Sequence, residues 1–352
     1  MTLCVDMMKS SGYAAMEQGS NLVPFSFERR SPGPNDVVID IRYCGICHTD
    51  LNAIRNMFGS QTYPLVPGHE ITGKVIAVGE KVTKLKVGDW AGVGPIVDSC
   101  GKCSHCEDNL EPYCLEGMTR TYGFPDRHGV MAYGGFSDNY VVDEHFSLAL
   151  PAGLDPAGAA PLLCAGITTY SALRRAGIGP YDKVGIVGLG GLGHLAVKWA
   201  HTMGSQVAVF TTSPEKAEQA IQLGANEAII SKDEEAMARH KDSFDYILDT
   251  VSGAHDVNIY LDALKFEGTL CLVGMPETAP VVAPGLLAVG RRILTGSMIG
   301  GMAETQEMLD YAAEHDITSD IEVINIQQVN EAFERMEHGD VRYRFVIDMA
   351  SR

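Results

Sequence analysis

Basic residues and tryptophan are scarce in this sequence. Lys and Arg number 27 against 45 Asp and Glu, which gives a formal net charge of −18, and only 2 of the 352 residues are Trp. A chain this acidic is repelled by nucleic acids and by anionic lipid headgroups unless its basic residues cluster, and here they do not. We therefore expect neither a nucleic-acid partner nor a membrane partner.

Long uncharged stretches are also few. The longest covers residues 156–173, and it is interrupted by Pro156, Gly158, Pro161 and Gly166. We interpret it as a buried segment, because a bilayer span needs about 20 mostly apolar residues. The N-terminus has no basic segment followed by an apolar one, so we expect no secretory signal and a cytoplasmic protein.

Two different patterns divide the chain, whose length suggests two domains. Before about residue 150, short β-type runs at 37–41, 73–79 and 136–142 alternate with Gly and Pro, as in a partly antiparallel, barrel-like domain. From about residue 182, apolar strands alternate with helices, which predicts a doubly wound parallel sheet. The predicted strands of that sheet are 184–187, 206–210, 227–230, 246–249 and 270–274, with helices at 192–203 and 214–223.

The last fifty residues have a third pattern. Two amphipathic helices are predicted at 303–314 and 329–337, followed by a strand at 343–347. Because this strand has no obvious partner in the parallel sheet, we expect it to return to the first domain.

Four of the nine cysteines fall close together, at Cys100, Cys103, Cys106 and Cys114. Zinc prefers four thiolates in a tetrahedron, and ligands three residues apart on a turn can reach one ion. We expect a structural zinc here, because a fully thiolate site has no open position for chemistry. A redox-active thiol pair is the competing interpretation. His105 lies between these cysteines and is not expected to be a ligand.

A glycine loop, Gly188-Leu189-Gly190-Gly191-Leu192-Gly193, fits the GxGxxG pattern. It follows a predicted strand and opens a predicted helix, where its backbone N–H groups can face a pyrophosphate. The pattern predicts a dinucleotide site. A glycine-rich connection without a ligand is the alternative.

The end of the second strand of that sheet bears on which dinucleotide binds. An NAD site places an acidic residue there, whereas this strand is followed by hydroxyls and a lysine, namely Thr211, Thr212, Ser213 and Lys216. These groups suit the 2′-phosphate of NADP, which we favour. Ser and Thr are also ordinary helix N-caps and Lys216 could be a solvated lysine, so NAD stays open.

Three further segments contain candidate metal ligands. They are residues 44–50, which include two cysteines, the tripeptide Gly68-His69-Glu70, and Cys164. From the residues alone, Cys44 and Cys47 are equally suited to bind a metal. With the cysteine lobe, the glycine loop and residues 341–346, these pieces make the chain similar to the zinc-dependent medium-chain alcohol dehydrogenases. It most resembles their cinnamyl alcohol dehydrogenase-like branch, which includes broad-specificity NADP-dependent aldehyde reductases.

The resemblance implies a fold and a domain division. A GroES-like, partly antiparallel β-barrel catalytic domain would cover residues 1–156, with the structural zinc lobe at 97–116. A Rossmann NADP domain would cover 157–299, and 300–352 would return to the catalytic domain. A homodimer built through the cofactor domains is also implied.

The resemblance further implies that Cys47, His69 and Cys164 hold a catalytic zinc with an open fourth position, which Glu70 occupies at times. Asp50 is expected to orient His69. The implied reaction is reversible hydride transfer between NADP(H) and an aldehyde or primary alcohol. Cys4, Cys44 and Cys271 are then interpreted as small buried hydrophobic residues.

Proton transfer is where the sequence departs from the family. In the resembling enzymes a hydroxyl at the position of Thr49 passes protons toward a histidine three residues further on, but here that residue is Asn52. An amide cannot act as a base near neutral pH. The end of the relay therefore stays open between His48 and water.

The remaining implied positions concern cofactor and substrate. Cofactor contacts are implied at Thr168, Gly274, Ser297 and Arg344, although buried core hydroxyls and a solvated arginine are the alternatives. Pocket positions are implied at Met57, Phe58, Thr119, Met298 and Ile299. Plant lignin-pathway members carry a large aromatic residue near Thr119, so we favour a broad aldehyde reductase. An NAD-dependent polyol or secondary-alcohol dehydrogenase, and a non-catalytic dinucleotide-binding structural or sensory protein, are the alternatives.

Overall fold

The structure, a computed structural model, describes residues 7–57, 59–127, 129–276 and 278–352. Two units divide the chain: unit 1 comprises residues up to Cys164 and from Gly300 onward, and unit 2 comprises Ala165–Ile299. The first boundary follows Cys164 rather than residue 156. The intervening residues belong with unit 1 because they pack on its strands, as the 2.8 Å hydrogen bond from Thr72 Oγ1 to the Pro156 carbonyl shows.

The first part of unit 1 is rich in short strands. Its strands are β1 (Met8–Ala15), β2 (Leu22–Arg29), β3 (Asp36–Gly45), β4 (Ile71–Val78), β5 (Trp90–Val93), β6 (Ile96–Asp98), β7 (Thr119–Arg120), β8 (Asn139–Asp143) and β9 (Leu148–Ala149). Its helices are short: α1 (His48–Ile54), α2 (Ser104–Glu107) and α3 (Pro156–Ala159), with 3-10 turns at Glu111–Tyr113, Glu144–Phe146 and Ala160–Leu163.

Unit 2 alternates helices and strands. The helices are α4 (Ala165–Ala176), α5 (Gly193–Thr202), α6 (Pro214–Gln222), α7 (Glu234–Arg239), α8 (Asn258–Ala263) and α9 (Pro284–Gly290). The strands are β10 (Lys183–Val187), β11 (Gln206–Thr211), β12 (Glu227–Ile230), β13 (Phe244–Asp249), β14 (Leu264–Leu272) and β15 (Ile293–Gly296).

The six strands of unit 2 form one parallel sheet in the order β12-β11-β10-β13-β14-β15. The order reverses between β10 and β13, which is where ligands bind in doubly wound sheets. The aromatic rings of Phe210 and Phe244 are fully buried and pack 5.1 Å apart in the core of this unit. This arrangement confirms the predicted doubly wound sheet.

The end of the chain returns to unit 1. It contributes α10 (Met302–Glu314), β16 (Ile321–Asn325), α11 (Val329–Glu337) and β17 (Arg344–Asp348), with 3-10 turns at Ile326–Gln328 and Met349–Ser351. Strand β17 pairs antiparallel with β3, so that Val346 lies opposite Gly45. The predicted return of the last strand is therefore confirmed.

A seven-stranded mixed sheet forms the framework of unit 1. Its order is β16-β17-β3-β4-β5-β9, with β8 also pairing with β3, and its pairs are antiparallel except for β16 with β17. The strands β1 and β2 form a separate antiparallel hairpin. This is the barrel-like, partly antiparallel architecture that the sequence predicts.

The uncharged run 156–173 is buried, as predicted. It folds into α3, a 3-10 turn and most of α4, and Leu162, Leu163 and Leu173 have no exposed surface. Among the described residues, no helix combines the length and the apolar character that crossing a bilayer requires.

Candidate metal centres and cofactor site

The pairing of β3 with β4 brings the first candidate metal ligands together. These strands are antiparallel, and Cys44 lies opposite Ile71. Cys47 follows the end of β3 and caps the N-terminus of α1, while His69 and Glu70 immediately precede β4. Residues far apart in the sequence therefore meet at one end of a strand pair.

Cys164 reaches the same place because β5 leaves room for the turn before it. A Cβ on Gly92 would lie 3.0 Å from Leu163 Cδ1, and a Cβ on Gly94 would lie 3.1 Å from the Leu163 carbonyl oxygen. With glycine at both positions, the turn packs closely on the strand. The Cys164 Sγ then lies 3.3 Å from His69 Nε2.

One ligand atom each from Cys47, His69, Glu70 and Cys164 lies within 4.8 Å of the others. Ligands at 2.0–2.3 Å from a tetrahedral zinc are separated by roughly 3–4 Å, so small shifts suffice to place these atoms around one ion. Cys44 is outside this group and fully buried, with its Sγ 3.7 Å from the Gly45 carbonyl. The geometry thus chooses Cys47 over Cys44.

Asp50 contacts two residues of this cluster, His69 and Cys47, through hydrogen bonds. Its Oδ1 lies 2.9 Å from His69 Nδ1 and accepts a 3.0 Å hydrogen bond from the Gly68 N–H, and its Oδ2 accepts one from the Cys47 N–H at 3.0 Å. Since the carboxylate accepts a hydrogen bond from Nδ1–H, the lone pair of Nε2 is left facing the thiols. The ring orientation suits a metal ligand.

The pKa values of the two thiols of the cluster are shifted in opposite directions, with that of Cys164 raised by its contact with Cys47. A hydrogen bond with the Cys164 thiol lowers the pKa of Cys47 well below its usual range, and the positive charge of Arg344 acts in the same direction. Cys47 is therefore the thiol that ionises first. A metal ion binds the thiolate form of cysteine.

Glu70 is fully buried and pairs with Arg344. The Arg344 guanidinium, which is 5% exposed, donates to Glu70 Oε1 and, at 2.8 Å, to the Ile46 carbonyl. Burial raises the pKa of Glu70 to about 7, although the charge of Arg344 opposes this. Glu70 Oε2 makes no hydrogen bond with any described residue, and a Cβ on Gly45 would lie 1.9 Å from it. Gly45 thus leaves room for this carboxylate.

Tyr122 lies beside the cluster and is not among the site residues predicted from the sequence. Its ring lies 5.9 Å from the His69 ring, its side chain is 6% exposed, and its hydroxyl makes no hydrogen bond within the described part of the chain. Burial raises the pKa of this hydroxyl well above its usual range. An aromatic residue in a loop carries no sequence signal for such a position.

The four-cysteine lobe lies between β6 and β7. The Sγ atoms of Cys100, Cys103, Cys106 and Cys114 lie within 4.8 Å of one another, with Cys103–Cys106 at 3.5 Å and Cys100–Cys106 at 3.8 Å. Zinc with Zn–S bonds of about 2.3 Å requires S–S edges of about 3.8 Å. The lobe therefore fits a tetrahedral zinc.

A backbone N–H group donates to one thiol of this lobe and lowers its pKa, which favours the thiolate that a metal binds. The Leu115 N–H donates to Cys103 Sγ at 3.5 Å, and this bond is the main reason that the pKa of Cys103 is lowered to about 6. His105 is not part of the group; its Nδ1 faces the Tyr113 carbonyl instead. The eight described cysteines are free thiols, and Cys4 lies outside the described residues.

The glycine loop connects β10 to α5. Gly188 has φ +87°, a conformation that favours glycine, and a Cβ on Gly193 would lie 2.0 Å from the Gly188 carbonyl oxygen. A Cβ on Gly190 would meet nothing within 4 Å, so the backbone there faces open space. Gly191 and Leu192 precede the helix and are half-buried. An open glycine turn at a helix N-terminus fits a pyrophosphate.

Two of the hydroxyls at the end of β11 and just after it accept hydrogen bonds from nearby backbone N–H groups. Thr211 Oγ1 accepts a 3.2 Å bond from the Ser213 N–H, and Ser213 caps α6 by accepting from the Lys216 N–H at 3.5 Å. Thr212 is exposed. No described residue forms an ion pair with the Lys216 ammonium, which leaves its charge available.

The other predicted positions are distributed over both units. In unit 1, Met57 is 44% exposed, Thr119 is 8% exposed, and Thr49 and His48 lie in the exposed first turn of α1. Phe58 lies outside the described residues.

In unit 2, Thr168 is buried in α4, Met298 is 38% exposed and Ile299 is 9% exposed. Ser297 lines a cavity of about 300 Å³ with Cys271 and Arg175. Gly274 abuts Val251, whose carbonyl oxygen would lie 2.1 Å from a Cβ at that position.

Comparison with known proteins agrees with this geometry. The family named alcohol dehydrogenase GroES-like domain matches residues 33–152, and that named zinc-binding dehydrogenase matches residues 191–314. The chain is 51% identical over 345 residues to a probable mannitol dehydrogenase of Fragaria ananassa, covering 97% of this chain and 96% of the relative. It is also 51% identical over 346 residues to the aldehyde reductase YahK of Escherichia coli (strain K12), covering 97% and 98%.

Two solved structures share the fold over nearly their whole length. One is a cinnamyl alcohol dehydrogenase of Sorghum bicolor (SbCAD4), with a TM-score of 0.94, 44% identity, and coverage of 97% of this chain and 98% of that one. The other is the CAD of Helicobacter pylori complexed with NADP(H), with a TM-score of 0.92, 38% identity, and coverage of 98% and 99%.

A GroES-like unit with two zinc-fitting clusters and a dinucleotide-type parallel sheet define a zinc-dependent dehydrogenase. The chain belongs to the zinc-dependent medium-chain alcohol dehydrogenases, in their cinnamyl alcohol dehydrogenase-like branch. It is accordingly an oxidoreductase that interconverts alcohols and aldehydes with zinc and NADP(H).

Proposed function

We propose that this enzyme reduces a broad range of aromatic and aliphatic aldehydes to primary alcohols with NADPH, and catalyses the reverse reaction. The observation that carries the proposal is the cluster of Cys47, His69 and Cys164 with one carboxylate nearby. Two thiolates and an imidazole leave a zinc ion one open position, which is the arrangement of a catalytic site.

Each residue of the cluster has a distinct part in the proposal. Cys47, His69 and Cys164 hold the ion, Asp50 keeps the His69 ring in place, and Glu70 is the occasional fourth ligand. When bound, zinc supplies a Lewis acid for the substrate oxygen, and NADP(H) supplies or accepts the hydride. The four cysteines of the lobe hold a structural zinc.

Protons move through the first turn of α1 in this proposal. Thr49 and His48 are exposed there, next to Cys47, so a hydroxyl and an imidazole are both reachable from solvent. Thr49 is the first carrier, and His48 or water receives the proton, because Asn52 has no basic group.

Cofactor binding is assigned to unit 2. The glycine loop from Gly188 to Gly193 holds the pyrophosphate, and the side chains after β11 bind the 2′-phosphate, with Lys216 supplying the positive charge. Thr168, Gly274 and Ser297 are proposed as further contacts. Arg344 is also proposed as a pyrophosphate contact, supported by its Nε, which makes no hydrogen bond with described residues.

A broad substrate range is supported by the side chains at the predicted pocket positions. Thr119 is small, and Met57 and Met298 are flexible, unbranched and partly exposed. Methionine adapts to differently shaped ligands. Ile299 and Phe58 complete the proposed set.

The test is an assay of NADPH oxidation at 340 nm with benzaldehyde, cinnamaldehyde and short aliphatic aldehydes, using protein whose zinc content has been measured. We expect turnover across the panel, two zinc ions per chain, and loss of turnover in Cys164→Ser. Activity confined to a single aldehyde, or a clear preference for NADH, would contradict the proposal.

A second candidate function is polyol oxidation, which one specific likeness favours: a protein named probable mannitol dehydrogenase is 51% identical to this chain. Measuring mannitol oxidation with NAD⁺ and NADP⁺ in the same preparation tests it. Faster turnover of mannitol than of every aldehyde–alcohol pair would favour this candidate.

The quaternary structure and the location are part of the proposal. We infer a homodimer built through unit 2, supported by the edge strand β15 and by exposed apolar side chains nearby, Val289 at 86% and Ile293 at 51%. A cytoplasmic location is proposed as well, because a reducing compartment keeps cysteines in the reduced form that binds zinc. Light scattering of the wild type and of Ile293→Lys tests the dimer.

A further inference from the structure

Asp249, at the end of β13, joins three pieces of backbone. Its carbonyl accepts hydrogen bonds from the Val273 N–H at 2.9 Å and the Gly274 N–H at 3.1 Å, and its Oδ1 accepts one from the Val251 N–H at 3.0 Å. The residue is 2% exposed. It therefore ties the turn after β13 to the segment after β14.

That turn packs against two glycines of the proposed cofactor site. Thr250 Oγ1 donates to the Val187 carbonyl at 2.7 Å, and a Cβ on Gly188 would lie 2.7 Å from Val251 Cγ2. On the other side, a Cβ on Gly274 would lie 2.1 Å from the Val251 carbonyl oxygen. A displacement of the turn would therefore shift the backbone at Gly188 and Gly274.

His255 closes the turn through both of its ring nitrogens. Nε2 lies 2.7 Å from Asp249 Oδ2, and Nδ1 lies 2.9 Å from the Gly253 carbonyl oxygen. A carbonyl oxygen can only accept, so Nδ1 carries a proton, and the contact with Asp249 then needs a second proton on Nε2 or on the carboxyl group. Through these two contacts, His255 bridges Asp249 and Gly253 across the turn.

The pair Asp249–His255 lies beside an aromatic ring, a second carboxylate and a cavity. Burial raises the pKa of Asp249, and the ring of Tyr260 lies 6.0 Å from the His255 ring. Asp256, the next residue, lines the same cavity of about 480 Å³ as the pair itself. This cavity lies at the carboxyl ends of β13 and β14, the edge of the sheet where ligands bind in such folds.

We propose that Asp249 and His255 are positioning residues that hold the turn Thr250–Val251 in place and thereby set the affinity for NADP(H). The proposal rests on the proposed cofactor site at the glycine loop. Because the pair acts through the turn, its loss weakens dinucleotide binding and leaves the hydride-transfer step and the zinc sites unchanged.

The first test measures the Kd for NADPH by fluorescence in the zinc-loaded wild type and in His255→Ala. We expect the Kd to rise about tenfold, since a charged hydrogen bond is lost, while kcat at saturating NADPH and zinc content stay the same. The matched control is His240→Ala, because His240 also contacts a carboxylate of unit 2, with Nε2 3.1 Å from Glu227. Its Kd should equal that of the wild type.

The second test uses Asp249→Asn. The amide oxygen can still accept from the Val251 N–H, and the amide nitrogen can donate to Nε2 while the imidazole is neutral. Asp249→Ala can make neither contact. We expect the Kd of Asp249→Asn for NADP⁺ to stay within about twofold of the wild-type value and that of Asp249→Ala to rise about tenfold.

The outcomes separate the two proposals. A wild type that does not bind NADPH would overturn the proposed function. A wild type that binds while His255→Ala has the same Kd would overturn the positioning pair alone. If His255→Ala does not fold, the two Asp249 variants decide, and equal Kd values for Asp249→Asn and Asp249→Ala would contradict the pair.

Discussion

The carboxylate of Asp50 lies 2.9 Å from Nδ1 of His69, and both side chains are buried. Asp50 also accepts from the backbone N–H of Cys47, so a single carboxylate fixes two of the proposed metal ligands. Such a contact sets the orientation and the basicity of a histidine ligand.

Replacing Asp50 should therefore weaken metal binding before it affects the fold. We expect Asp50→Asn to lower the affinity for the catalytic zinc about 10- to 100-fold, because its amide oxygen replaces only one of the two carboxylate oxygens and its NH₂ group cannot accept from the donor that faces the other. Zinc content after dialysis against a competing chelator measures this. Asp233→Asn, at the N-cap of α7 in unit 2, is the control and should keep both ions.

Much of this fold is predictable from local pattern. Strands β10 to β14 overlap their predicted positions, although β14 begins six residues earlier than predicted, because buried parallel strands bounded by glycine leave a strong signal. Strand β15 was not predicted, since it is a mostly exposed edge strand without a buried apolar run. The cysteine lobe is equally local, since its four ligands lie within fifteen residues of one another.

The proposed catalytic cluster is not predictable in this way. Its members come from three distant segments, and only the pairing of β3 with β4 separates Cys47 from Cys44. Likewise, the contact of Arg344 with Glu70 depends on the position of β17 beside β3, which no local pattern reveals. The sequence does offer one signal for the pair Asp249–His255. Asp249 is an acidic residue at the carboxyl end of β13, which is the edge of a parallel sheet where ligands bind.

The two zinc-fitting clusters should fail in different ways. Cys103→Ser removes a lobe ligand, so we expect one zinc ion to be lost and Tm to fall by roughly 5 °C or more, because a closed site contributes to folding. Cys164→Ser should also lose one ion, but with loss of turnover and a smaller change in Tm. Metal analysis and calorimetry of both variants check this, and equal losses of Tm would contradict the separation.

Lys216 should decide between the dinucleotides. Its ammonium makes no ion pair with described residues, so its removal costs no internal contact. We expect Lys216→Ala to lower kcat/KM for NADPH about tenfold or more and to leave that for NADH nearly unchanged. Lys241→Ala is the control, since that lysine contacts Asp262 on the surface of the same unit. Equal losses with both dinucleotides would remove Lys216 from the phosphate site.

The hydroxyl of Thr49 should matter for turnover and not for stability. It lies in the exposed first turn of α1, so Thr49→Ala removes no buried contact. We expect kcat to fall about tenfold or more while Tm and zinc content stay the same, because the first proton carrier is lost. Thr49→Ser keeps a hydroxyl and should restore most of the rate. If both variants turn over like the wild type, protons take another route.

The buried hydroxyl of Tyr122 can be tested against that of Tyr140. Tyr140 donates to the Thr121 carbonyl at 2.7 Å, whereas the Tyr122 hydroxyl makes no hydrogen bond with described residues. A buried donor without a partner costs about 1–3 kcal/mol, so we expect Tyr122→Phe to keep or raise Tm by about 2 °C, and Tyr140→Phe to lower it. A lower Tm or a lost zinc ion in Tyr122→Phe would contradict this and would show that the hydroxyl has a partner in the metal-loaded protein.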